Sequence, residues 1–165
     1  MTESGVPAAT PTTHARVYVD KSGGHDTGIA IANPGPAGSV TTVTIRAFRS
    51  DGVTAAGSGS GTVNLAANGH TGKFAGEMIT GLASGFTGVI EISSTTPFVA
   101  VTLRALTNGR SDFLLTTFPI ADANQAAPAP MVFPQIADGG GYSTQFIFVS
   151  ATGASTMTNA LFWDN

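Results

Sequence analysis

Val40-Thr41-Thr42-Val43-Thr44-Ile45-Arg46-Ala47-Phe48-Arg49 is the stretch on which the reading of the fold turns. In an extended chain Val43, Ile45 and Ala47 fall on one side, and Thr42, Thr44 and Arg46 fall on the other. This two-residue period is that of a strand with one face in a core and one in water. Shorter runs on either side repeat the pattern between Gly, Pro, Asn and Asp. Arg16–Asp20 aligns Val17 with Val19, Gly28–Asn33 sets Ile29 and Ile31 opposite the small Ala30 and Ala32, and Thr62–Ala66 carries Val63 and Leu65. Phe86–Ser93, Phe98–Leu106 and Asp112–Phe118 complete the set, and the Gly/Ser-rich stretch 55–61 reads as a flexible tip. Strands at such spacing predict an all-β fold, an antiparallel, immunoglobulin-like β-sandwich of roughly nine to ten short strands. One segment departs from the pattern. In Gly69–Ile79 the spacing of Phe74, Met78 and Ile79, with the pair Lys73–Glu77, predicts one or two helical turns started by His70.

Composition points the same way. Of 165 residues only 10% are charged, whereas soluble proteins average about 25%. Gly occurs 21 times and Thr 23 times. A helical bundle would need more Glu, Lys and Arg on its surface. A disordered chain would carry more charge and less Val, Ile, Leu and Phe. A nucleic-acid binder would be basic, and the net charge is −3. With no Cys there is no disulfide frame, thiolate zinc site or cysteine nucleophile. No run reaches the 18 or so apolar residues of a membrane span. Met1–Ala15 carries neither the basic start nor the apolar core of a signal peptide.

The ends of the chain differ from its middle. Met1–Ala15 reads as an extended arm, and residues 16–165 as a single sandwich. That sandwich divides into one full repeat (16–122), a linker (123–130) and two strands of a second repeat (131–165). The repeat lies in Gly23-Gly24-His25-Asp26-Thr27-Gly28-Ile29-Ala30-Ile31-Ala32, matched by Gly140-Gly141-Tyr142-Ser143-Thr144-Gln145-Phe146-Ile147-Phe148-Val149. An Asp precedes the glycines in each, Asp20 and Asp138. Phe146–Val149 and Leu161–Trp163 are too apolar to stand alone, and two strands do not make a stable sheet. They could complete this sandwich or one in another molecule, and completion of this sandwich is the expectation for 131–165, with the arm Met1–Ala15 as the segment that reaches a neighbour.

Asp20-Lys21-Ser22-Gly23-Gly24-His25-Asp26-Thr27-Gly28-Ile29-Ala30-Ile31-Ala32-Asn33-Pro34 resembles a repeat of large secreted bacterial surface proteins. So do Leu65–Phe74 with Glu77, Gly88–Ser94, and Phe133-Pro134-Gln135-Ile136-Ala137-Asp138-Gly139-Gly140-Gly141-Tyr142. The similarity spans most of residues 17–165. It implies export, a β-sandwich and a structural or adhesive role, and it brings no catalytic residues.

Candidate sites are few. His14, His25 and His70 are widely spaced and lack the close spacing of a zinc site. Asp20, Asp26 and Asp138 flank glycine-rich loops and are the candidate calcium ligands, but their spacing is not that of an EF-hand, and Asp beside Gly is ordinary turn chemistry. No metal and no cofactor is therefore assigned. Arg104, among apolar neighbours, is expected to pair with Glu77 or Glu91. Neither G-x-S-x-G nor a complete phosphate loop is present, and no residue set identifies a reaction, so the chain is read as a non-enzyme.

The function expected from these features is that of a structural subunit of an extracellular bacterial filament or surface layer. Subunits would join head to tail, the arm residues Val6, Pro7, Ala8, Ala9, Thr10, Pro11, Thr12 and Thr13 lying along a neighbour. Its partners would be copies of itself, with surface glycans as a further possibility, and neither nucleic acid nor membrane insertion is expected. The alternative is a monomeric adhesin or glycan-binding module, with Tyr18 and Tyr142 as stacking residues.

Overall fold

A computed structural model describes residues 8–118, 120–126, 130–133 and 135–151. It is all-β, with antiparallel pairing throughout and a single short helix, and its buried residues form one core. In chain order the strands are β1 (Thr12–Asp20), β2 (His25–Ala32), β3 (Val40–Arg49), β4 (Ala55–Ala66), β5 (His70–Phe74), β6 (Thr87–Thr107), β7 (Phe113–Phe118) and β8 (Ala121–Asp122). Helix α1 (Ala75–Met78) follows β5 directly.

One strand serves both layers. The first part of β6 lies between β1 and β3, with Ile90 opposite Val17 on one side and Ala47 on the other. Its second part lies between β2 and β7, with Thr102 opposite Ile29 and Phe118. The first layer therefore runs β4-β3-β6-β1-β8 and the second β5-β2-β6-β7. The sequence reading of two strands, 86–93 and 98–106, becomes one strand of 21 residues that changes layers around Ser94–Pro97. The register of β1 against β6 slips at the same place, between Thr12 and His14.

The alternation seen in the sequence forms the core. Ala15, Val17 and Val19 of β1, Val43, Ile45 and Ala47 of β3, and Ile90 and Ile92 of β6 face Ile29 and Ile31 of β2 and Phe98 and Ala100 of β6. Each of these is at most 2% exposed. Burial of apolar surface contributes roughly 25 cal/mol per Å², so these facing side chains hold the two layers together.

Four segments depart from the sequence reading. β1 starts at Thr12 instead of Arg16, because Thr12 to Ala15 find backbone partners on β6 and β8. The Gly/Ser stretch 55–61 belongs to β4, with a bulge opposite Arg46 and Ala47. Its glycines serve close approach: a Cβ on Gly57 would come 2.7 Å from Ile79 Cγ2, and one on Gly61 would come 2.5 Å from the carbonyl oxygen of Met78. The end of α1 thus rests directly on the β4 backbone, burying Ile79 completely. His70 opens β5 opposite Ala32, and the helical turn is supported by Phe74 N donating to Glu77 Oε2 at 2.7 Å. Finally, residues 143–150 form no strand, and within 135–151 the pairing is an isolated bridge between Gly139 and Tyr142. A strand needs a neighbouring strand to satisfy its backbone, and among the described residues no sheet edge pairs with that run. Leu161, Phe162 and Trp163 lie outside the described residues.

Because Gly61 has an ordinary backbone and lacks only space, Gly61→Ala isolates the packing of α1 on β4. It should lower stability by about 1–3 kcal/mol, read as a lower urea midpoint at unchanged slope. An unchanged midpoint would contradict this packing.

Candidate functional site: an uncovered sheet margin

β7 is joined to β6 in continuous register from Thr102↔Phe118 to Thr107↔Phe113, and on its other side it has no strand neighbour among the described residues. Its sequence, Phe113-Leu114-Leu115-Thr116-Thr117-Phe118, carries no charge. Phe113 is 62% exposed, and Leu114 and Leu115 are exposed as well. Three consecutive exposed large apolar residues cannot all face one core, because strand neighbours point to opposite faces. At its C-terminal end β7 borders a groove of about 430 Å³. Ala100, Thr102, Phe118 and Ile120 form its floor and walls, and Ala8–Thr10 of the arm run along it.

The root of the arm is fastened beside that groove. Thr12 is buried; its hydroxyl donates to Asp122 Oδ1 at 2.7 Å, and Asn124 Nδ2 donates to the hydroxyls of both Thr12 and Thr13 at 3.0 Å. Ala123 N donates to the carbonyl of His14 at 2.9 Å. The start of the segment read as a linker is therefore structured, with β8 and the turn after it clamping the arm to β1. Of the arm residues expected to contact a neighbour, Thr12 and Thr13 are within β1, Ala8 to Pro11 precede it, and Val6 and Pro7 lie outside the described residues.

The isolated charges are held by partners inside the fold. Arg16 is buried and forks onto Glu91 Oε2 through Nε at 3.2 Å and Nη2 at 2.8 Å, while its Nη1 donates to the carbonyl of Ser150. His14 Nε2 lies 3.3 Å from the same carboxylate oxygen, and the Arg16 guanidinium stacks over Phe48. Burial pushes the Glu91 carboxyl up, but the hydrogen bonds and positive charge of Arg16 and His14 prevail and hold it below its ordinary value. Arg104 pairs with Asp20 at 3.1 Å, and not with Glu77 or Glu91 as expected. Asp20 also accepts from the backbone and hydroxyl of Ser22. Burial again raises this carboxyl, while the Ser22 hydrogen bonds and the nearby His25 and Arg104 lower it by more. His25 Nδ1 and Arg104 Nε are buried without hydrogen-bond partners.

The candidate calcium ligands are dispersed in role. Asp20 is committed to Ser22 and Arg104, Asp26 Oδ1 accepts from Thr27 N, and Asp138 is exposed in the loop before the Gly139–Tyr142 bridge. Among the described residues no three His, Asp or Glu side chains converge as a metal site would require. Tyr18 packs its ring against Phe118, with centroids 6.4 Å apart, whereas Tyr142 is exposed. A second, larger hollow of about 630 Å³ lies beneath the β3–β4 turn, where Asp51 is already engaged by Val53 N, Thr54 N and the Thr54 hydroxyl. Among the described residues no helix is long and apolar enough to cross a membrane. Comparison of the chain with protein families, with curated proteins and with solved structures finds no match in any of the three.

The uncovered β7 margin carried no clear mark in the sequence, where Asp112–Phe118 read as one more sandwich strand. An apolar strand without alternation was the available signal.

The lowered carboxyls fix the sign of the acid response. A carboxylate with a depressed native pKa stabilises the fold fully above its unfolded value, and that stability is lost as pH falls through the native value. The ordinary values are 4.5 for Glu91 and 3.8 for Asp20. The stability gap between the native chain and Glu91→Gln should therefore be widest above the ordinary value of 4.5 and narrow as the pH falls below it. A gap that stays constant across that range would contradict the ion pair.

Proposed function

We propose that this chain is a structural subunit of an extracellular bacterial filament or surface layer, assembled from copies of itself. The observation that carries the reading is the uncharged β7 edge with Phe113, Leu114 and Leu115 exposed, continuous through Thr117 and Phe118 with the groove beside it. An edge of this kind offers unpaired backbone groups and apolar side chains together, which is the chemistry of strand addition. Ala8–Thr10 of the arm line this groove, which supports reading the arm and the groove as parts of one association surface. Fastening Thr12 and Thr13 to Asp122 and Asn124 fixes the direction in which the arm departs. A charge content of 10% limits repulsion between packed copies. The resemblance of the Asp20–Pro34 and Phe133–Tyr142 motifs to a repeat of secreted bacterial surface proteins supports the extracellular setting.

Removal of residues 1–11, which spares β1, tests the arm. The truncated chain should keep a β-rich circular dichroism spectrum and its urea midpoint while its assemblies disappear from negative-stain images. Assembly at the same concentration as the intact chain would refute donation of the arm.

A further inference from the structure

The outward margins of this fold are not equally protected. β4 is bulged opposite Arg46 and Ala47 and holds Gly57 and Gly59 at positive φ, and a bulge twists an edge away from an incoming strand. β5 has five residues and carries Lys73, and β8 has two. Short edges and edge lysines discourage pairing. β7 has none of these devices: it runs six residues in unbroken register without charge, proline or bulge.

The same chain contains strand sequence that has no sheet. In the internal repeat Phe146 and Phe148 occupy the places of Ile29 and Ile31, and in β2 those isoleucines are each 1% exposed. Phe148 is instead 51% exposed, in a small aromatic group where Phe146 meets Phe133 at 4.8 Å and Phe148 at 6.5 Å. Ser150, at the end of this run, accepts from Arg16 on β1, a strand of the first layer, whereas β7 belongs to the second.

We propose that Tyr142–Val149 of one copy adds as a strand to the β7 edge of a second copy, bringing Phe146 and Phe148 against Phe113 and Leu115, which share one face of β7. The proposal rests on the reading of the chain as a self-associating subunit and names a second contact beside the arm. Backbone hydrogen bonds along β7 supply affinity, and the alternate phenylalanines set the register. Donor segment and acceptor edge are different surfaces, so each copy that has received a strand still has one to give. Such a contact is heterologous and propagates unless the rotation between copies closes a ring.

The absence of cysteine makes the contact directly testable. Gln145→Cys and Thr116→Cys place single thiols at exposed positions in the donor run and the acceptor edge, and neither removes an anchor. Equal amounts of the two full-length variants, each confirmed as folded by circular dichroism, are mixed and oxidised. A disulfide-linked mixed dimer, in excess of what either variant forms alone, is the expected result. Phe146→Asp combined with Phe148→Asp should then raise the concentration needed for assembly by about tenfold or more, as loss of aromatic anchors does. If a chain carrying both substitutions closes on itself and the mixture of single variants does not link, the run pairs with its own edge and the proposal is wrong. If nothing links but electron microscopy still shows assemblies, the tail contact fails and self-association stands. If nothing links and the chain remains at 16.6 kDa, both readings fail together.

Discussion

The pairing of β6 is the constraint on which the remaining structure depends. Its first half supplies hydrogen bonds to β1 and β3, and its second half to β2 and β7, so both layers are built on one covalent strand. The passage of β6 from one layer to the other through Ser94–Pro97 places Phe98, fully buried, at the point of crossing. Ala15, Val17 and Val19 of β1, Ile29 and Ile31 of β2, and Ile45 and Ala47 of β3 are all positioned by register against β6. A single strand shared in this way leaves margins on both layers, and what the molecule does follows from how those margins are finished.

Most of them are closed by local chemistry. β8 and the Asp122–Asn124 turn clamp the start of β1, α1 lies on the glycines of β4, and the Glu91–Arg16–His14 group covers the outer face of the first layer with satisfied charge. Arg104 and Asp20 do the same where β1, β2 and β6 meet, leaving two buried nitrogens without partners. Ion pairs of this kind contribute little net stability, but breaking one is costly because it leaves its partner charge poorly solvated. β7 is left uncovered by any strand among the described residues. That contrast within one chain, and not the apolar character of any single residue, is what directs attention to association between copies.

The fold was legible in the sequence because its core strands alternate. Ile29 and Ile31, and Val43, Ile45 and Ala47, are buried as their two-residue period requires. The helical turn after Phe74 was legible from the spacing of Phe74, Met78 and Ile79. Tertiary context decided the rest. Gly57 and Gly61 look like a flexible tip in sequence, and only the closeness of Met78 and Ile79 reveals why glycine is needed. Thr12 and Thr13 look like part of a free arm until Asp122 and Asn124, more than a hundred positions away, are brought beside them. The pairing of Arg104 with Asp20 instead of a glutamate also depends on register across β1, β2 and β6, which no local pattern encodes. The apolar run Phe146–Val149 has the composition of a strand, yet strand formation needs a partner edge, which local sequence does not encode.

The most direct test of the account is the state of the intact chain in solution, measured as molar mass at rising concentration with negative-stain images of the same samples. Self-association through the β7 margin predicts species growing well beyond 16.6 kDa, seen as filaments or extended sheets. A single species of 16.6 kDa at every concentration, with no ordered assemblies on the grid, would contradict it.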